Sequence, residues 1–291
     1  MTTNIHPAAI INPGARIAAD CFIGPFSVIE QDVVLGEGCF VDSHVVIKAG
    51  TVLGQRNQIA SGAVIGGIAQ HKQHFDQSGS LVIGNDNVFR EFVTVHRALK
   101  PGQQTVIGDR NLLMVNAHVA HDCRVGSDVI IANNAMIAGH VHLADRCYIS
   151  GAVGIHQFCR IGTLAMVGGQ SHVTQDVPPY VTMDGLTSRI VGLNSVGMRR
   201  AGLGPQERTQ IKQVYRIVYR SGLTVSEATD HLRQLGDNSF AQDFASFLAN
   251  SQRGCVRGDR KPNGVSIEPA STLAADSNPA IIPLDEHRRA A

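Results

Sequence analysis

The sequence has no tryptophan, and aromatic residues make up only 5% of its 291 residues. Glycine, by contrast, occurs 30 times. A chain with few aromatic residues and much glycine favours a repetitive backbone over an ordinary mixed core. Charge of one sign is also lacking, because 25 Lys and Arg face 24 Asp and Glu, for a net charge of +1. That balance excludes a nucleic-acid-binding protein held by a broad basic surface.

Targeting and membrane signals are missing as well. The first residues do not combine a basic segment with an apolar one, as a secretory signal would, and no run of about 18 apolar residues is long enough to span a bilayer. The six cysteines show no CxxC spacing. We therefore expect a cytoplasmic protein that is not embedded in a membrane.

The main pattern is an apolar residue at every sixth position. Eleven such residues run from Ile5 to Ile65, three more from Ile83 to Val95, and twelve from Ile107 to Val173. A period of six differs from the period of a helix, about 3.6, and from the simple alternation of a strand. It predicts one short strand and one corner per hexapeptide, three hexapeptides per coil, and about nine coils in a parallel β-helix. The expected fold is mainly β.

A second register lies four positions after each repeated residue and holds small or β-branched side chains. The cysteines on this register are Cys21, Cys39, Cys123, Cys147 and Cys159. A free cysteine facing the interior behaves as a small hydrophobic residue. We assign these cysteines no metal, disulfide or nucleophilic role.

The repeat is interrupted twice and stops before the C-terminus. Residues 67–81 and 96–106 break the period, and inserts of this kind commonly build the binding face of a solenoid, although tolerated surface loops are the alternative. We expect the β-helix over residues 1–188 and helices over 189–252, where Thr224 and Glu227 form a capping box. Residues 253–291 show no period, which predicts a disordered tail.

Several of the 13 histidines cluster between residues 118 and 156. Residues 18 apart stack on successive coils, so His121, Gly139 and Gln157 form one column. His140 lies one position after this column and His156 one position before it. The cluster therefore spans about 10 Å along the axis at one corner of the β-helix.

Three interpretations of this cluster are open. The histidines could be solvated corner residues, or they could bind a metal, with His118 and His121 as ligands. The third interpretation is general-base catalysis, in which His121 takes a proton from a hydroxyl while Asp122 fixes its tautomer and the N–H of Gly139 stabilises an oxyanion. No Ser or Cys faces outward beside His121, which favours direct acyl transfer over a covalent acyl-enzyme.

Four strings carry a specific resemblance: AHVAHDC at 117–123, HQFC at 156–159, VGG at 167–169 and QDVPPYV at 175–181. Over residues 5 to about 252 the chain resembles the UDP-N-acetylglucosamine O-acyltransferase family, which begins lipid A biosynthesis. The resemblance implies a left-handed parallel β-helix with a helical C-terminal domain. It also implies a homotrimer with active sites between neighbouring solenoids, and transfer of a 3-hydroxyacyl group from acyl carrier protein to the sugar 3-hydroxyl.

The resemblance also implies roles for single residues. His121 matches the general base, Asp122 the residue that orients it, and Gly139 the oxyanion position. Gly169 matches the position that limits acyl length, where glycine leaves room for a longer chain. The remaining matches are substrate contacts, namely His118, His140, His156, Gln157, Asn194 and Arg200. For Arg200, a solvated helix face is the alternative.

The chain departs from the family pattern in the first insert. The family usually reads Gln-Asp-Leu-Lys there, and its Asp and Lys contact the nucleotide sugar. Here the string is Gln70-His71-Lys72-Gln73. A second departure is Gly-Leu-Thr-Ser at 185–188 in place of Gly-Asn-x-Ala. We expect either a paralogue with a modified amino-sugar acceptor or an orthologue that binds the usual sugar through Gln70, His71 and Gln73.

These observations predict an O-acyltransferase that moves a 3-hydroxyacyl chain from acyl carrier protein to UDP-N-acetylglucosamine. The thioester on the carrier protein is a co-substrate, and we expect neither a cofactor nor a metal. N-acyl transfer to a UDP-3-amino sugar is an alternative that uses the same acid–base groups. A non-catalytic trimeric scaffold is another, although the intact His121–Asp122 pair argues against it.

Overall fold

The body of the protein is built from very short parallel strands. The structure, a computed structural model, describes residues 2–73 and 78–258. The strands before the first insert are β1 (Asn4–Ile5), β2 (Ile10–Ile11), β3 (Arg16–Ile17), β4 (Phe22–Ile23), β5 (Val28–Ile29), β6 (Val34–Leu35), β7 (Phe40–Val41), β8 (Val46–Ile47), β9 (Thr51–Leu53), β10 (Gln58–Ile59) and β11 (Val64–Gly67). Those between the inserts are β12 (Ser80–Ile83), β13 (Val88–Phe89) and β14 (Thr94–His96).

Twelve further strands complete the repeat, and two close it. The twelve are β15 (Gln104–Ile107), β16 (Leu112–Leu113), β17 (His118–Val119), β18 (Arg124–Val125), β19 (Ile130–Ile131), β20 (Met136–Ile137), β21 (His142–Leu143), β22 (Tyr148–Ile149), β23 (Gly154–Ile155), β24 (Arg160–Ile161), β25 (Met166–Val167) and β26 (His172–Val173). The last two are β27 (Val181–Met183) and β28 (Ile190–Leu193).

Every third strand lies in the same sheet, so the chain winds around three faces of a left-handed parallel β-helix. Sheet I runs from β1 through β4 to β25 and then β27 and β28, sheet II from β2 to β26, and sheet III from β3 to β24. Regular coils pair residues 18 apart, as Ile5 does with Ile23. Across the inserts, Ile59 pairs with Phe89 and Phe89 with Leu113, so the extra residues leave the stacking of the coils intact.

The sixth-position residues form the core, as the period predicts. All of them from Ile23 to Val173 are buried. Stacking in register removes these apolar side chains from water, which contributes most of the favourable free energy of folding. The cysteines on the inward register are free and buried, which agrees with their assignment as packing residues. Gly36 shows how close the coils approach, because a Cβ there would lie 2.5 Å from the carbonyl carbon of Gly54.

Each corner turns on a residue with positive φ. At the corner between sheets II and III, Asp122 has a φ of 60°, His140 of 61° and Phe158 of 66°. This left-handed region is costly for most side chains, and aspartate tolerates it better than bulky residues do. Both inserts leave from the same corner, because each connects a strand of sheet II to a strand of sheet III. The fold therefore places the inserts beside His121.

A buried asparagine column connects the coils around the inserts. Asn57, Asn87 and Asn111 are each 0% exposed and lie at the corner between sheets III and I. Asn57 Oδ1 accepts from the backbone N–H and the side-chain amide of Asn87, and Asn87 Oδ1 accepts from the N–H of Asn111. Since a buried amide without a partner costs about 1–3 kcal/mol, this column stabilises one stacking register of these coils.

In the described part of the chain, four helices follow the strands. They are α1 (Ser195–Arg200), α2 (Pro205–Arg220), α3 (Val225–Arg233) and α4 (Ser239–Ala249). The predicted capping box is present, with Thr224 Oγ1 accepting from the N–H of Glu227. The predicted start of the helical region at residue 189 needs correction, because β28 continues sheet I antiparallel to β27. The region becomes helical only at Asn194, which caps α1.

The prediction of a disordered tail from residue 253 is also wrong at its start. Cys255 pairs with Asp176 and Gly258 with Ile190 as isolated bridges, and Val256 is buried. Asp176 Oδ2 accepts from the hydroxyl of Ser251, so the segment after α4 returns to the end of the β-helix. Residues 259–291, the rest of that predicted tail, lie outside the described residues.

The helices cover the last coils of the β-helix. The guanidinium of Arg160 on β24 lies 4.1 Å from the ring centre of Phe247 on α4, and the Tyr180 and Phe240 rings meet edge to face at 5.7 Å. These contacts pack the helices against the last coils of the β-helix. Among residues 2–73 and 78–258, none of the helices is both long enough and apolar enough to cross a bilayer.

Candidate active site

The candidate site lies at the corner between sheets II and III, directly after β17. His121 is only 7% exposed, although it occupies an outward-facing corner position. The interpretation of this histidine as a solvated corner residue is therefore wrong. The inserts explain its burial, because they leave from the same corner and the ring of His71 in the first insert contacts the ring of His121.

His121 and Asp122 form a hydrogen-bonded pair. The distance from His121 Nδ1 to Asp122 Oδ2 is 2.7 Å, and the backbone N–H of Leu99 donates to the same oxygen at 3.1 Å. A carboxylate only accepts hydrogen bonds, so the proton of the neutral imidazole lies on Nδ1. The lone pair of His121 is then on Nε2, which is the arrangement that a general base requires.

Two more imidazoles and a phenyl ring surround this pair. The His140 ring meets the His121 ring edge to face at 5.2 Å, and the His71 ring does so at 5.7 Å. The ring of Phe158 stacks on His140 at 4.6 Å. Burial lowers the pKa of His140, while the charge of Asp122, whose Oδ2 lies 3.9 Å from His140 Nε2, acts in the opposite direction. Burial therefore favours a neutral His140 that offers hydrogen bonds to a polar ligand.

Gly139 lies directly beneath the imidazole of His121. It is buried, and the atoms nearest to a Cβ placed on it are those of the His121 ring. Its backbone N–H donates to no atom within residues 2–73 and 78–258. A free N–H beside the base is what a developing oxyanion needs.

His118 lies in β17, three residues before His121, and has different partners. Its Nδ1 is 2.8 Å from the hydroxyl of Thr94, and its ring lies 5.1 Å from the ring of His96. Burial, followed by the charge of His96, lowers the pKa of His118 to about 4. His118 is thus neutral near pH 7 and acts as a hydrogen-bonding group.

The remaining predicted residues of this corner lie around the first group, on a later coil and in the first insert. His156 and Gln157 lie two coils beyond His121, and His156 Nδ1 is 3.1 Å from the carbonyl oxygen of Gln157. Gln70 and Gln73 are exposed in the first insert. The N–H of Gln73 donates to His71 Nδ1 at 3.0 Å, so these two changes from the family pattern form one structural unit.

Three predicted residues lie away from this corner in a single chain. Gly169 follows β25, at the exposed corner between sheets I and II. Arg200 is exposed at the end of α1. Asn194 is 8% exposed and its amide is engaged within the chain, since Oδ1 accepts from the N–H of Gly197 and Nδ2 donates to the carbonyl of Leu164. Its structural role is to cap α1.

A metal ion is the alternative occupant of the corner. One donor atom each from His121, Asp122 and His140 lie within 4.8 Å of one another. Two imidazoles and a carboxylate are a ligand set that zinc accepts. Occupation by zinc would compete with the function of His121 as a base, so the two interpretations differ in their response to chelation.

The sequence did not reveal which residues hold Asp122. Leu99 reaches it from the second insert, and Thr105 Oγ1 accepts from its backbone N–H at 2.8 Å. Neither residue is 18 positions from Asp122, because the insert disturbs the spacing. The sequence did offer a way to find Phe158 as a residue of this site, since it follows His156 and Gln157 in the HQFC string.

Comparison with known proteins decides the family. A protein of Halorhodospira halophila named acyl-[acyl-carrier-protein]–UDP-N-acetylglucosamine O-acyltransferase is 45% identical over 257 residues, which cover 88% of this chain and all of that protein. The chain belongs to the UDP-N-acetylglucosamine O-acyltransferase family. A member with the same name from Anaeromyxobacter dehalogenans is 44% identical over 87% of this chain and 99% of its own length.

Family models and solved structures of this acyltransferase family agree. The model described as "Udp N-acetylglucosamine O-acyltransferase; Domain 2" matches residues 176–256, and the bacterial transferase hexapeptide model matches 32–67 and 104–139. The Acinetobacter baumannii structure has a TM-score of 0.83 and 41% identity over 87% of this chain and 99% of its own. The Francisella novicida structure has a TM-score of 0.85 and 34% identity over 88% and 95%.

Proposed function

We propose that this protein transfers a 3-hydroxyacyl group from the thioester of acyl carrier protein to the 3-hydroxyl of UDP-N-acetylglucosamine, the first step of lipid A biosynthesis. The observation that carries this proposal is the buried His121–Asp122 pair above Gly139, in a chain of this family. We also propose that the reaction takes place in the cytoplasm.

The geometry supports one direct displacement. His121 Nε2 takes the proton of the sugar 3-hydroxyl, and the oxygen forms a bond to the thioester carbonyl carbon. Negative charge collects on the carbonyl oxygen, where the N–H of Gly139 stabilises it. When the C–S bond breaks, the thiol receives the proton that His121 holds. Asp122 stabilises the imidazolium between the two transfers, so every atom of the step has a source and a destination.

The histidines around the dyad are suited to a polar acceptor. His140 and His71 flank His121, and we assign them to the sugar and its diphosphate together with Gln70, Gln73, His118, His156 and Gln157. The curated relatives are named O-acyltransferases of UDP-N-acetylglucosamine, which supports the O-acyl product over the N-acyl alternative. The intact dyad supports an enzyme over a non-catalytic scaffold.

The active assembly that we propose is a C₃ homotrimer. In a single chain, Gly169 and Arg200 lie away from the corner that holds His121, so one chain cannot gather all the residues that match the family site. A rigid β-helix cannot close around a ligand, and a second copy supplies the missing wall. Sedimentation at working concentration should show a trimer, and a monomer with full activity would contradict this assembly.

The direct test uses purified protein, 3-hydroxyacyl carrier proteins of several chain lengths, and several UDP-sugars, with mass spectrometry of the products. Wild-type protein should acylate UDP-N-acetylglucosamine, and His121→Ala should lower kcat by about 10²–10⁴-fold. His44→Ala is the control, because His44 is an exposed corner residue between sheets I and II, away from the corner that holds His121. No acylated product from any acceptor would overturn the proposal.

Chelation separates base catalysis from the metal alternative. If His121 is a free general base, dialysis against EDTA should leave kcat unchanged, and added Zn²⁺ should inhibit by occupying its lone pair. Loss of turnover after EDTA treatment with recovery on adding a metal would show instead that the His121, Asp122 and His140 cluster works as a metal centre.

A further inference from the structure

Two hydrogen bonds connect Asp122 to the second insert, one through its backbone N–H and one through its carboxylate. Its backbone N–H donates to Thr105 Oγ1 at 2.8 Å, and its carboxylate oxygen Oδ2 accepts from the N–H of Leu99 at 3.1 Å. Leu99 lies in the middle of the insert, and Thr105 lies at its end, in β15. The two contacts hold one residue by its backbone and by its side chain.

The insert itself is fastened to the β-helix. The Arg97 guanidinium donates to the carbonyl of Ala49 at 2.6 Å, and the backbone N–H of Arg97 donates to the carbonyl of Gly67 at 3.0 Å. The N–H of Ala98 donates to Ser80 at 3.2 Å. Leu99 is therefore presented from an anchored turn, which makes its N–H a fixed donor.

The position of Asp122 matters because its Oδ2 serves several partners. That oxygen is 2.7 Å from His121 Nδ1 and 3.9 Å from His140 Nε2. A small rotation of Asp122 would lengthen the bond to His121 and bring the carboxylate closer to His140.

We propose that Thr105 is a positioning residue for acyl transfer: its buried hydroxyl accepts the backbone N–H of Asp122, and with Leu99 it holds the Asp122 carboxylate on His121. Thr105 touches neither base nor substrate and acts only through Asp122. The inference rests on the proposed function, because its test measures the rate of acyl transfer. In this proposal the second insert positions Asp122 and does not bind the substrate.

The chain supplies a matched control for the hydroxyl. Thr51 lies on the same face of sheet III, and Leu81 pairs with Thr51 on one side and with Thr105 on the other. Both threonines are 0% exposed. The hydroxyl of Thr51 has no hydrogen-bond partner among the described residues, whereas that of Thr105 holds Asp122. Replacing each by the nearly isosteric valine removes a buried hydroxyl at both sites and an Asp122 contact at only one.

The experiment measures kcat, KM for UDP-N-acetylglucosamine and Tm for the wild type, Thr105→Val, Thr105→Ser and Thr51→Val. We expect Thr105→Val to lose about tenfold or more in kcat with KM changed less than about twofold, because a misplaced base slows the chemical step. Thr105→Ser keeps the hydroxyl and should keep most of the wild-type kcat. Thr51→Val should match the wild type in both constants.

The experiment distinguishes a failure of this inference from a failure of the proposed function. A wild type that makes no acylated sugar refutes the proposed function, whereas an active wild type with equal kcat in Thr105→Val and Thr51→Val overturns this inference alone. An equal loss of kcat in Thr105→Ser and Thr105→Val also overturns it, since the methyl group and not the hydroxyl would then matter. If Thr105→Val does not fold, Thr105→Ser against Thr105→Ala makes the same comparison, and equal kcat values overturn the inference.

Discussion

The imidazole of His121 lies against the backbone of Gly139 on the next coil. A Cβ added to Gly139 would stand 2.8 Å from Cε1 and 2.9 Å from Nε2 of that ring, closer than real Cβ contacts allow. Nε2 is the atom to which we assign the proton transfer. Glycine at this position therefore lets the base and the free N–H of the same residue lie side by side.

Gly139→Ala should lower kcat about 10²-fold, because the added methyl group displaces the ring from its reacting position by a fraction of an ångström or more. Gly154→Ala on the next coil is the control, since a Cβ there meets nothing within 4 Å. Steady-state kinetics and Tm on both variants check this. Equal kcat values in the two variants would show that His121 does not need this space.

Asp122→Asn should lower kcat by about 10³–10⁴-fold with little change in KM. The amide can donate a hydrogen bond to Nδ1, which moves the imidazole proton of His121 to Nε2 and removes the basic lone pair. Rapid-quench measurement of the acyl transfer step checks this without interference from product release. Turnover near the wild-type value would show that the carboxylate does not set the tautomer.

His71→Asp with Gln73→Lys restores the charges that the family usually has in the first insert. We expect kcat/KM for UDP-N-acetylglucosamine to rise by about 10–100-fold, the worth of a charge-assisted hydrogen bond of about 1.5–3 kcal/mol. Gln73→Lys alone tests whether the gain needs both changes, because the backbone N–H of Gln73 orients His71.

The same variants identify the acceptor. A fall in kcat/KM with a modified UDP-amino sugar, together with a rise for the plain sugar, would show that the wild-type insert is adapted to the modified sugar. Unchanged kcat/KM for every acceptor would show that this insert does not recognise the sugar at all.

His118 should make the folded protein less stable in acid. Burial lowers the folded-state pKa of His118 to about 4 from an ordinary value of 6.5, so as the pH falls the unfolded chain takes up this proton before the folded one does. The contribution of neutral His118 to the stability of the folded protein is present in full above about pH 6.5 and is lost between pH 6.5 and 4. Tm against pH should fall less steeply for His118→Gln than for the wild type. His231→Gln, at an exposed histidine of α3, should leave the slope unchanged, and identical slopes for all three proteins would contradict the prediction.

The column that holds His121, Gly139 and Gln157 could be predicted because the repeat is regular there. Residues 18 apart stack, so the sequence placed His121 beside Gly139 and His140 without any knowledge of side-chain contacts. The contacts across the inserts could not be predicted in this way. Leu99 and Thr105 reach Asp122 over 23 and 17 positions, and nothing in the period indicates those separations.

The sequence by itself determined the coils, the two inserts and the capped helices, because each depends on local spacing: a period of six, its interruption, and cap residues within one turn. Tertiary structure alone decided that His121 is buried, that Asn194 caps a helix, and that Asn57, Asn87 and Asn111 join their coils. These outcomes depend on which distant segments pack over a corner. The two inserts bring such segments together in space, at separations along the chain that do not follow the period of six.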